Sequence, residues 1–300
     1  MKLKLAVVQF KTRKLNPSEN LIFAERFIEK ASKQKADIVI FPEAFLSRRG
    51  TFEKKSVLSD EHCIDELKEF AKKYSIAIVA PMMGIIRGKK YNVCNFIDEK
   101  GKILAKYQKE HLWITEKGFL KPGKKLVSFK FKGVKVGLII CWDLIFPEVF
   151  RKFIKKDVEL VIAPSNWSYE DARQGLKYDK KSEIKLIDAL CVERAYEEEM
   201  ILVFCNTAGK VGSSNSIGHS QITEPFKGSI KKLNHNKEKM FIKEIDTHIL
   251  RDAEKAYCIE KDLKNRLKNI KNKKNQGLSW QILENLKNGN RFENFLNLEL

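Results

Sequence analysis

The sequence has few of the patterns that mark metal sites, membrane spans or secretion. Its six cysteines include no C-x-x-C pair and its five histidines no H-x-x-x-H spacing, which argues against a disulfide framework and against a metal site. It contains no run of about 18 uncharged apolar residues, so no membrane span is expected. The apolar part of the N-terminus is too short for a signal peptide. We therefore expect a cytoplasmic protein with no metal and no cofactor.

The strong excess of positive charge has no nucleic-acid motif beside it. The formal net charge is +19, from 58 Lys and Arg against 39 Asp and Glu. The lysines are spread along most of the chain, with a local excess at 261–274, and aromatic residues do not interleave with them. A lysine-rich, solvated surface that binds polyanions weakly accounts for this charge, and no specific nucleic acid is expected. A polyanion-binding protein without catalysis is the alternative from outside the enzymes.

Strand-like and helix-like segments alternate along the first 260 residues. A hydrophobic content of 43% with 32% charged residues is typical of a soluble globular protein. The alternation predicts an α/β sheet protein, and hairpin patterns such as 91–107 predict mixed sheets. No internal repeat or Ser/Gly linker appears, so we expect one domain over 1–260. Residues 261–300 are rich in Lys and Asn and are interpreted as a tail or an oligomerisation arm.

Cys141 stands at the end of an apolar segment of strand length, Val136–Ile140. Trp142, Asp143 and a Pro-Glu pair that opens a helical pattern follow it. A thiol in this place lies at the mouth of a sheet, where α/β enzymes position their reacting atoms. A cysteine at the end of an apolar strand is also commonly a small buried hydrophobe, and the segment alone does not separate the two readings.

Glu43 is the second polar residue at a strand end, because it follows Asp37–Phe41 and Pro42. Burial beside a strand end raises the pKa of a carboxyl group toward a value useful for a base, although a loop glutamate is commonly just exposed. Lys109 and Glu116 carry no information by themselves in so lysine-rich a chain. Composition and periodicity thus indicate an α/β enzyme with a strand-end thiol, without naming a reaction.

Taken together and in order, these segments resemble the nitrilase superfamily of carbon–nitrogen hydrolases over residues 3 to about 260. The matching segments are Ala6-Val7-Val8-Gln9, Phe41-Pro42-Glu43, Tyr107-Gln108-Lys109-Glu110-His111-Leu112, Glu116 to Gly123, Gly137 to Arg151, Pro164-Ser165-Asn166-Trp167, Arg194 to Glu198, Cys205-Asn206 and Gly218-His219-Ser220. Each match is weak alone, and their common order is what makes the resemblance specific.

The resemblance implies an αββα four-layer sandwich of two mixed sheets, with helix layers outside. It also implies a homodimer or larger homo-oligomer, in which the helix after Cys141 and the helix 182–198 lie at the interface. Tail 261–300 departs from the simpler members of the family.

The resemblance also implies roles for individual residues. Cys141 would be the nucleophile, Glu43 the general base and Lys109 the cation that stabilises the tetrahedral intermediate. The backbone N–H of Trp142 would be the second oxyanion donor. Glu116 would hold the lysine; Glu110 is a rival, but neighbours on an extended segment point to opposite sides.

The nucleophile segment resembles the amidase and carbamoyl-amide hydrolase branches, because the nitrilase branch proper tends to have glutamate where Asp143 stands. We therefore expect a linear amide or N-carbamoyl amine as substrate, with a nitrile as the alternative. The loops at Ser47, Arg48, Asn166, Trp167 and 168–181 are expected to set specificity. For Asn166 and Trp167 a purely structural, capped loop is the other interpretation.

Overall fold

The described part of Met1–Tyr257 contains fourteen strands and five α-helices. The computed structural model describes residues 1–13, 17–47 and 54–265. The strands are β1 Lys2–Gln9, β2 Ile38–Ile40, β3 Ala77–Ile86, β4 Lys89–Ile97, β5 Ile103–Gln108, β6 Val127–Phe131, β7 Val134–Leu138, β8 Leu160–Ser165, β9 Ile201–Asn206, β10 Lys210–Val211, β11 Ser214–Asn215, β12 Gln221–Glu224, β13 Gly228–Lys232 and β14 Lys239–Asp246. The helices are α1 Pro17–Lys33, α2 Lys54–Tyr74, α3 Pro147–Ile154, α4 Ser182–Glu197 and α5 His248–Tyr257.

Two six-stranded sheets carry the fold, and both are mixed. The first has the order β14-β1-β2-β3-β4-β5, with β1, β2 and β3 parallel and the other pairs antiparallel. The second has the order β13-β12-β9-β8-β7-β6, with β7, β8 and β9 parallel. Each sheet thus has a parallel centre connected through helices, as expected for strands buried on both faces.

The two sheets pack face to face. Phe96 of β4 contacts Phe129 and Phe131 of β6, with ring centroids 4.6 and 5.0 Å apart. On the other side of the interior, the Cys205 thiol on β9 donates to the carbonyl oxygens of Val8 and Ile40 at 3.3 and 3.4 Å. These contacts hold the two sheets together at both ends of the shared interior.

Helices cover the outer faces of both sheets. Helices α1 and α2 pack on the first sheet, where side chains such as Leu21, Ile28 and Leu67 join Val8 and Ile78 in one buried cluster. Helix α4 lies on the second sheet, where the Thr223 hydroxyl on β12 donates to the carbonyl of Cys191 at 2.9 Å. The predicted α/β sandwich of two mixed sheets flanked by helices is confirmed.

Polar residues follow the ends of the parallel strands and of β5. Glu43 follows β2, Cys141 follows β7, Asn166 follows β8 and Lys109 follows β5. Because parallel strands of one sheet end at the same edge, this topology gathers residues that are far apart in the sequence.

Several elements differ from the sequence-based expectation. Strand β3 runs on from Ala80 to Ile86 and forms a hairpin with β4, whose turn has positive φ at Arg87 and Gly88. Such a turn usually carries Asn-Gly or Asp-Gly, so Arg-Gly gave no signal. Helix α2 begins at Lys54, before the start at Glu61 that the sequence pattern of 61–74 predicts. The sequence pattern predicts neither strand β13 nor helix α5.

The chain divides into two compact units, Met1–Tyr257 and Cys258–Leu300. In the second unit, residues 259–265 are helical. The remainder of the predicted arm, 266–300, lies outside the described residues, and the boundary at 260 stays a prediction. Within the part of the chain that is described, no helix is both long and apolar enough to cross a bilayer.

Candidate active site

The turn that follows β7 presents the thiol of Cys141. A 3₁₀ turn over Cys141–Ile145 begins at this residue, whose φ of 48° is a conformation that residues with a Cβ rarely adopt. Asp143 supports the turn, because its N–H donates to the Ile140 oxygen at 3.1 Å and its Oδ2 accepts the Ile140 N–H at 3.0 Å. The turn ends the strand abruptly and leaves the thiol residue 4% exposed.

The carboxylate of Asp143 also joins this turn to the segment after β5. It accepts the Tyr107 hydroxyl at 2.7 Å, the His111 N–H at 2.8 Å, and contacts His111 Nδ1 at 2.9 Å. Burial, with the adjacent negative charge, raises the pKa of Tyr107 and keeps its hydroxyl a donor. The His111 ring in turn stacks on Phe146, with centroids 3.8 Å apart. Asp143 therefore fixes the segment carrying Lys109 relative to Cys141.

Lys109 lies between two buried carboxylates. Its Nζ is 2.9 Å from Glu43 Oε1 and 2.8 Å from Glu116 Oε2, and all three side chains are at most 7% exposed. Burial disfavours the ammonium ion, but the charges of Glu43, Glu116 and the nearby Cys141 outweigh it and raise the pKa of Lys109. For Glu116, burial by itself would raise the pKa. The charge of Lys109 and its hydrogen bond outweigh burial and bring the pKa of Glu116 below its usual value. The lysine is charged at neutral pH.

Asn92 on β4 bridges the same two carboxylates. Its Nδ2 donates to Oε1 of Glu43 at 2.6 Å and to Oε1 of Glu116 at 2.9 Å, and its backbone oxygen accepts the Lys109 N–H at 2.9 Å. The residue is 1% exposed. Sequence reasoning did not find Asn92, because its partners are 24 and 49 positions away and no local pattern distinguishes it.

The segment that carries Glu116 folds back onto the end of β5. The Trp113 N–H donates to Glu116 Oε2 at 2.7 Å, and the Gly123 N–H donates to the Lys109 oxygen at 2.7 Å. Gly123 packs so closely on the backbone of Gln108 that a Cβ there would overlap the Gln108 carbonyl oxygen. Glycine at this position therefore lets the Pro-Gly segment approach Lys109.

Glu110 points away from the site, and its carboxylate pairs with Lys152 at 3.1 Å. Of the two carboxylates considered as partners of Lys109, the structure thus places Glu116 beside it. The alternation of side chains along an extended segment is the physical reason.

Cys141, Glu43, Lys109 and Glu116 line one small cavity together. Ala44, Met83, Trp113, Thr115 and Asn166 complete its lining among the described residues. Its volume is about 10 Å³, which is roughly the space that one water molecule needs. The structure therefore brings the predicted thiol, base and cation together in a nearly closed, low-dielectric site, where charge interactions are strong.

Trp142 and Trp167, the two tryptophans expected at the site, are not among the residues that line this cavity. Trp142 packs against Trp113 and Trp167, with ring centroids 4.3 and 5.5 Å apart. Trp167 is 1% exposed; its indole N–H donates to Glu183, and its backbone N–H donates to Asn206 Oδ1 at 2.7 Å. The side chain of Trp167 therefore serves the packing of the loop. The oxyanion role of the Trp142 N–H stays a prediction.

Asn166 does reach the cavity. Its Oδ1 accepts the Thr207 hydroxyl at 2.9 Å, and the residue is 8% exposed. Of the other residues expected to set specificity, Ser47 is buried and Arg48 lies outside the described residues. Residues 168–181, which fold largely as 3₁₀ turns over Tyr169–Lys177, do not appear in the lining of the catalytic cavity.

A buried cysteine, two carboxylates and a lysine thus share one cavity of a two-sheet α/β sandwich. The carbon-nitrogen hydrolase family model matches residues 4–255, and the chain belongs to this family. The resemblance to the nitrilase superfamily and the assignment as a carbon–nitrogen hydrolase are confirmed.

Curated relatives include amidases and nitrilases. The 2-oxoglutaramate amidase of Bacillus subtilis strain 168 is 29% identical over 231 residues, covering 75% of this chain and 84% of the relative. Omega-amidase NIT2 of Danio rerio is 27% identical over 285 residues, which cover 90% of this chain and 97% of the relative. The Nitrilase of Pyrococcus abyssi is 27% identical over 256 residues, which cover 83% of this chain and 92% of the relative.

Solved structures share the fold. Nit3 of Saccharomyces cerevisiae, a member of branch 10 of the nitrilase superfamily, has a TM-score of 0.74 at 24% identity, covering 85% of this chain and 94% of that one. A mutant of the amidase from Nesterenkonia sp. AN1 in complex with butyramide has a TM-score of 0.73 at 24% identity. The match covers 83% of this chain and 93% of that one.

Proposed function

We propose that this carbon–nitrogen hydrolase cleaves a linear amide or an N-carbamoyl amine through a thioester on Cys141 and releases ammonia. The observation that carries the proposal is the single cavity shared by Cys141, Glu43 and Lys109. The amidases among the relatives support an amide substrate. No cofactor takes part in the proposed reaction.

Glu43 is the proposed base. Both of its hydrogen bonds within the described residues, from Asn92 and Lys109, are accepted by Oε1. This arrangement leaves Oε2 for the proton of the Cys141 thiol. As the sulfur attacks the carbonyl carbon, the proton moves to Glu43 and the carbonyl electrons move to oxygen.

Lys109 is proposed to stabilise that oxygen. Its ammonium group is fixed by two carboxylates, so little reorganisation is needed as negative charge develops, and the N–H of Trp142 is the proposed second donor. When the tetrahedral intermediate collapses, the C–N bond breaks and the proton on Glu43 passes to the leaving nitrogen. Glu116 holds the lysine in place.

The thioester is then hydrolysed by the same groups. Glu43 takes a proton from water, whose oxygen attacks the thioester carbon, and the C–S bond breaks as sulfur regains a proton. The acyl part leaves as a carboxylate. From a carbamoyl amine it leaves as a carbamate, which loses carbon dioxide.

A screen of matched amides, carbamoyl amines and nitriles, measured by ammonia release, tests this function. Cys141→Ala serves as the blank. We expect amides or carbamoyl amines to be hydrolysed only by the protein with its thiol. Turnover of nitriles alone would instead favour nitrile hydrolysis, the activity named for the relative from Pyrococcus abyssi.

A further inference from the structure

A second cavity adjoins the catalytic one, and Asn166 lines both. Its volume is about 100 Å³. Of the nine described residues that line it, five carry a hydroxyl group (Thr12, Thr207, Ser213, Ser214 and Ser216) and none carries a charge. We refer to this space as the hydroxyl cavity.

The hydroxyl cavity is built at the same strand ends as the catalytic residues. Thr12 follows β1, and its hydroxyl donates to the oxygen of Ala44, the neighbour of Glu43, at 3.0 Å. Thr207 follows β9 and the hairpin β10–β11 closes the far side. The two cavities thus lie at neighbouring strand ends and share Asn166 in their linings.

Hydrogen-bond donors of the described residues face this region. Oδ1 of Asn166 accepts the Thr207 hydroxyl at 2.9 Å, which leaves Nδ2 as the donor of this side chain. Among the described residues, no hydrogen bond uses Nδ2 of Asn166 or the hydroxyls of Ser213 and Ser214. These groups suit an oxygen that accepts hydrogen bonds.

The size of the catalytic cavity limits where a substrate can extend. About 10 Å³ beside Cys141 accommodates little more than the reacting group. The remainder of an acyl chain needs more space, and the hydroxyl cavity supplies it next to Asn166. An apolar chain there would leave donors unpaired, which costs binding free energy.

We propose that the hydroxyl cavity binds the far end of the acyl chain and selects short amides that end in a hydrogen-bond-accepting oxygen. Since the described residues that line it carry no charge, a neutral carbonyl should suffice and a carboxylate should not be required. This inference rests on the proposed hydrolysis of amides at Cys141.

Three amides of similar size test the proposal: succinamide, succinamic acid and isocaproamide, which has an isopropyl group in place of the terminal carboxyl. We expect kcat/KM for succinamide, halved for its two equivalent ends, to exceed that for isocaproamide by about 10-fold, the effect of one or two neutral hydrogen bonds. The preference should shrink several-fold in Ser214→Ala and in Asn166→Ala. Ser128→Ala, outside both cavities, should keep the wild-type ratio.

The outcomes separate this inference from the function on which it rests. Equal kcat/KM values for succinamide and isocaproamide would overturn the proposed role of the hydroxyl cavity while leaving amide hydrolysis intact. A preference for succinamide that is unchanged in both Ser214→Ala and Asn166→Ala would do the same. A preference for succinamic acid alone would also overturn it, because the uncharged lining predicts no need for a carboxylate. If no amide of any kind is hydrolysed in a Cys141-dependent way, both proposals fail.

Discussion

The side-chain amide of Asn92 donates to Oε1 of Glu43 at 2.6 Å, and this bond fixes which oxygen of the proposed base stays available. Asn92→Ala would remove it and free the Glu43 carboxylate to rotate. We expect kcat to fall by about 10- to 150-fold, since a positioning hydrogen bond to a charged group contributes about 1.5–3 kcal/mol, while the protein stays folded. Asn92→Asp should be worse, because a third carboxylate would compete for Lys109.

Steady-state kinetics on one amide substrate would measure these effects. Asn95→Ala is the matched control, because Asn95 lies on the same strand and bonds the Ala80 oxygen at 3.4 Å. A wild-type kcat in Asn92→Ala would show that Glu43 needs no such support.

Removal of the buried cation should affect both activity and stability. Lys109→Met would leave two buried carboxylates facing each other, and one of them would take up a proton. We expect kcat/KM to fall by about 100-fold or more, with a loss of roughly 3–5 kcal/mol in the free energy of unfolding. Urea unfolding and kinetics would measure the two losses.

Lys106→Met provides the comparison, because Lys106 is exposed on β5, the strand that Lys109 follows. Should Lys109→Met retain activity close to that of Lys106→Met, the proposed oxyanion role of the lysine would be wrong.

The link between Asp143 and Tyr107 should support the turn that presents the thiol. Asp143→Asn removes a carboxylate that accepts from Tyr107, His111 and Ile140. We expect reduced stability and slower reaction of Cys141 with a small alkylating amide, because the positive φ of Cys141 loses its support. Tyr107→Phe removes two hydrogen bonds, the one that the hydroxyl donates to Asp143 and the one that it accepts from the Glu110 N–H. It should cost roughly 2–4 kcal/mol.

Alkylation rates in the folded proteins would separate a change at the thiol from a general loss of stability. An Asp143→Asn protein that is alkylated as fast as the wild type would contradict the supporting role.

The raised pKa of Glu198 predicts that the stability of the protein depends on pH. Burial raises the pKa of this carboxyl group from 4.5 to about 8, against the opposing charge of Arg151, whose Nε is 3.1 Å away. Between these values the folded protein holds a proton that the unfolded chain has released. Stability therefore falls as pH rises from about 4.5 to about 8.

Glu198→Gln should weaken this dependence, because glutamine stays neutral. Urea midpoints measured across this pH range should fall less steeply in the variant than in the wild type. Parallel slopes in the two proteins would mean that Glu198 titrates normally in the fold. Glu244→Gln, at an exposed position paired with Lys2, serves as the control.

The sequence was sufficient for the fold class and for the residues at strand ends, because buried strands, helix patterns and ordered motifs are local signals. Glu43 and Cys141 were singled out in this way, whereas Lys109 was named only through the resemblance, which also supplied the role of each residue. Asn92 and the links from Asp143 to Tyr107 and His111 were missed as site features, since they depend on contacts between distant segments. The half-buried strand β13 has only weak alternation, which explains its absence from the prediction.

The position of Lys109 between two carboxylates has a consequence for the charge of the cavity. With a neutral thiol, the two carboxylates and one ammonium sum to a single negative charge. In the proposed mechanism, proton transfer from Cys141 to Glu43 moves this charge from oxygen to sulfur without changing its amount. Lys109 adjoins both locations, so this proton transfer needs no counterion from solvent.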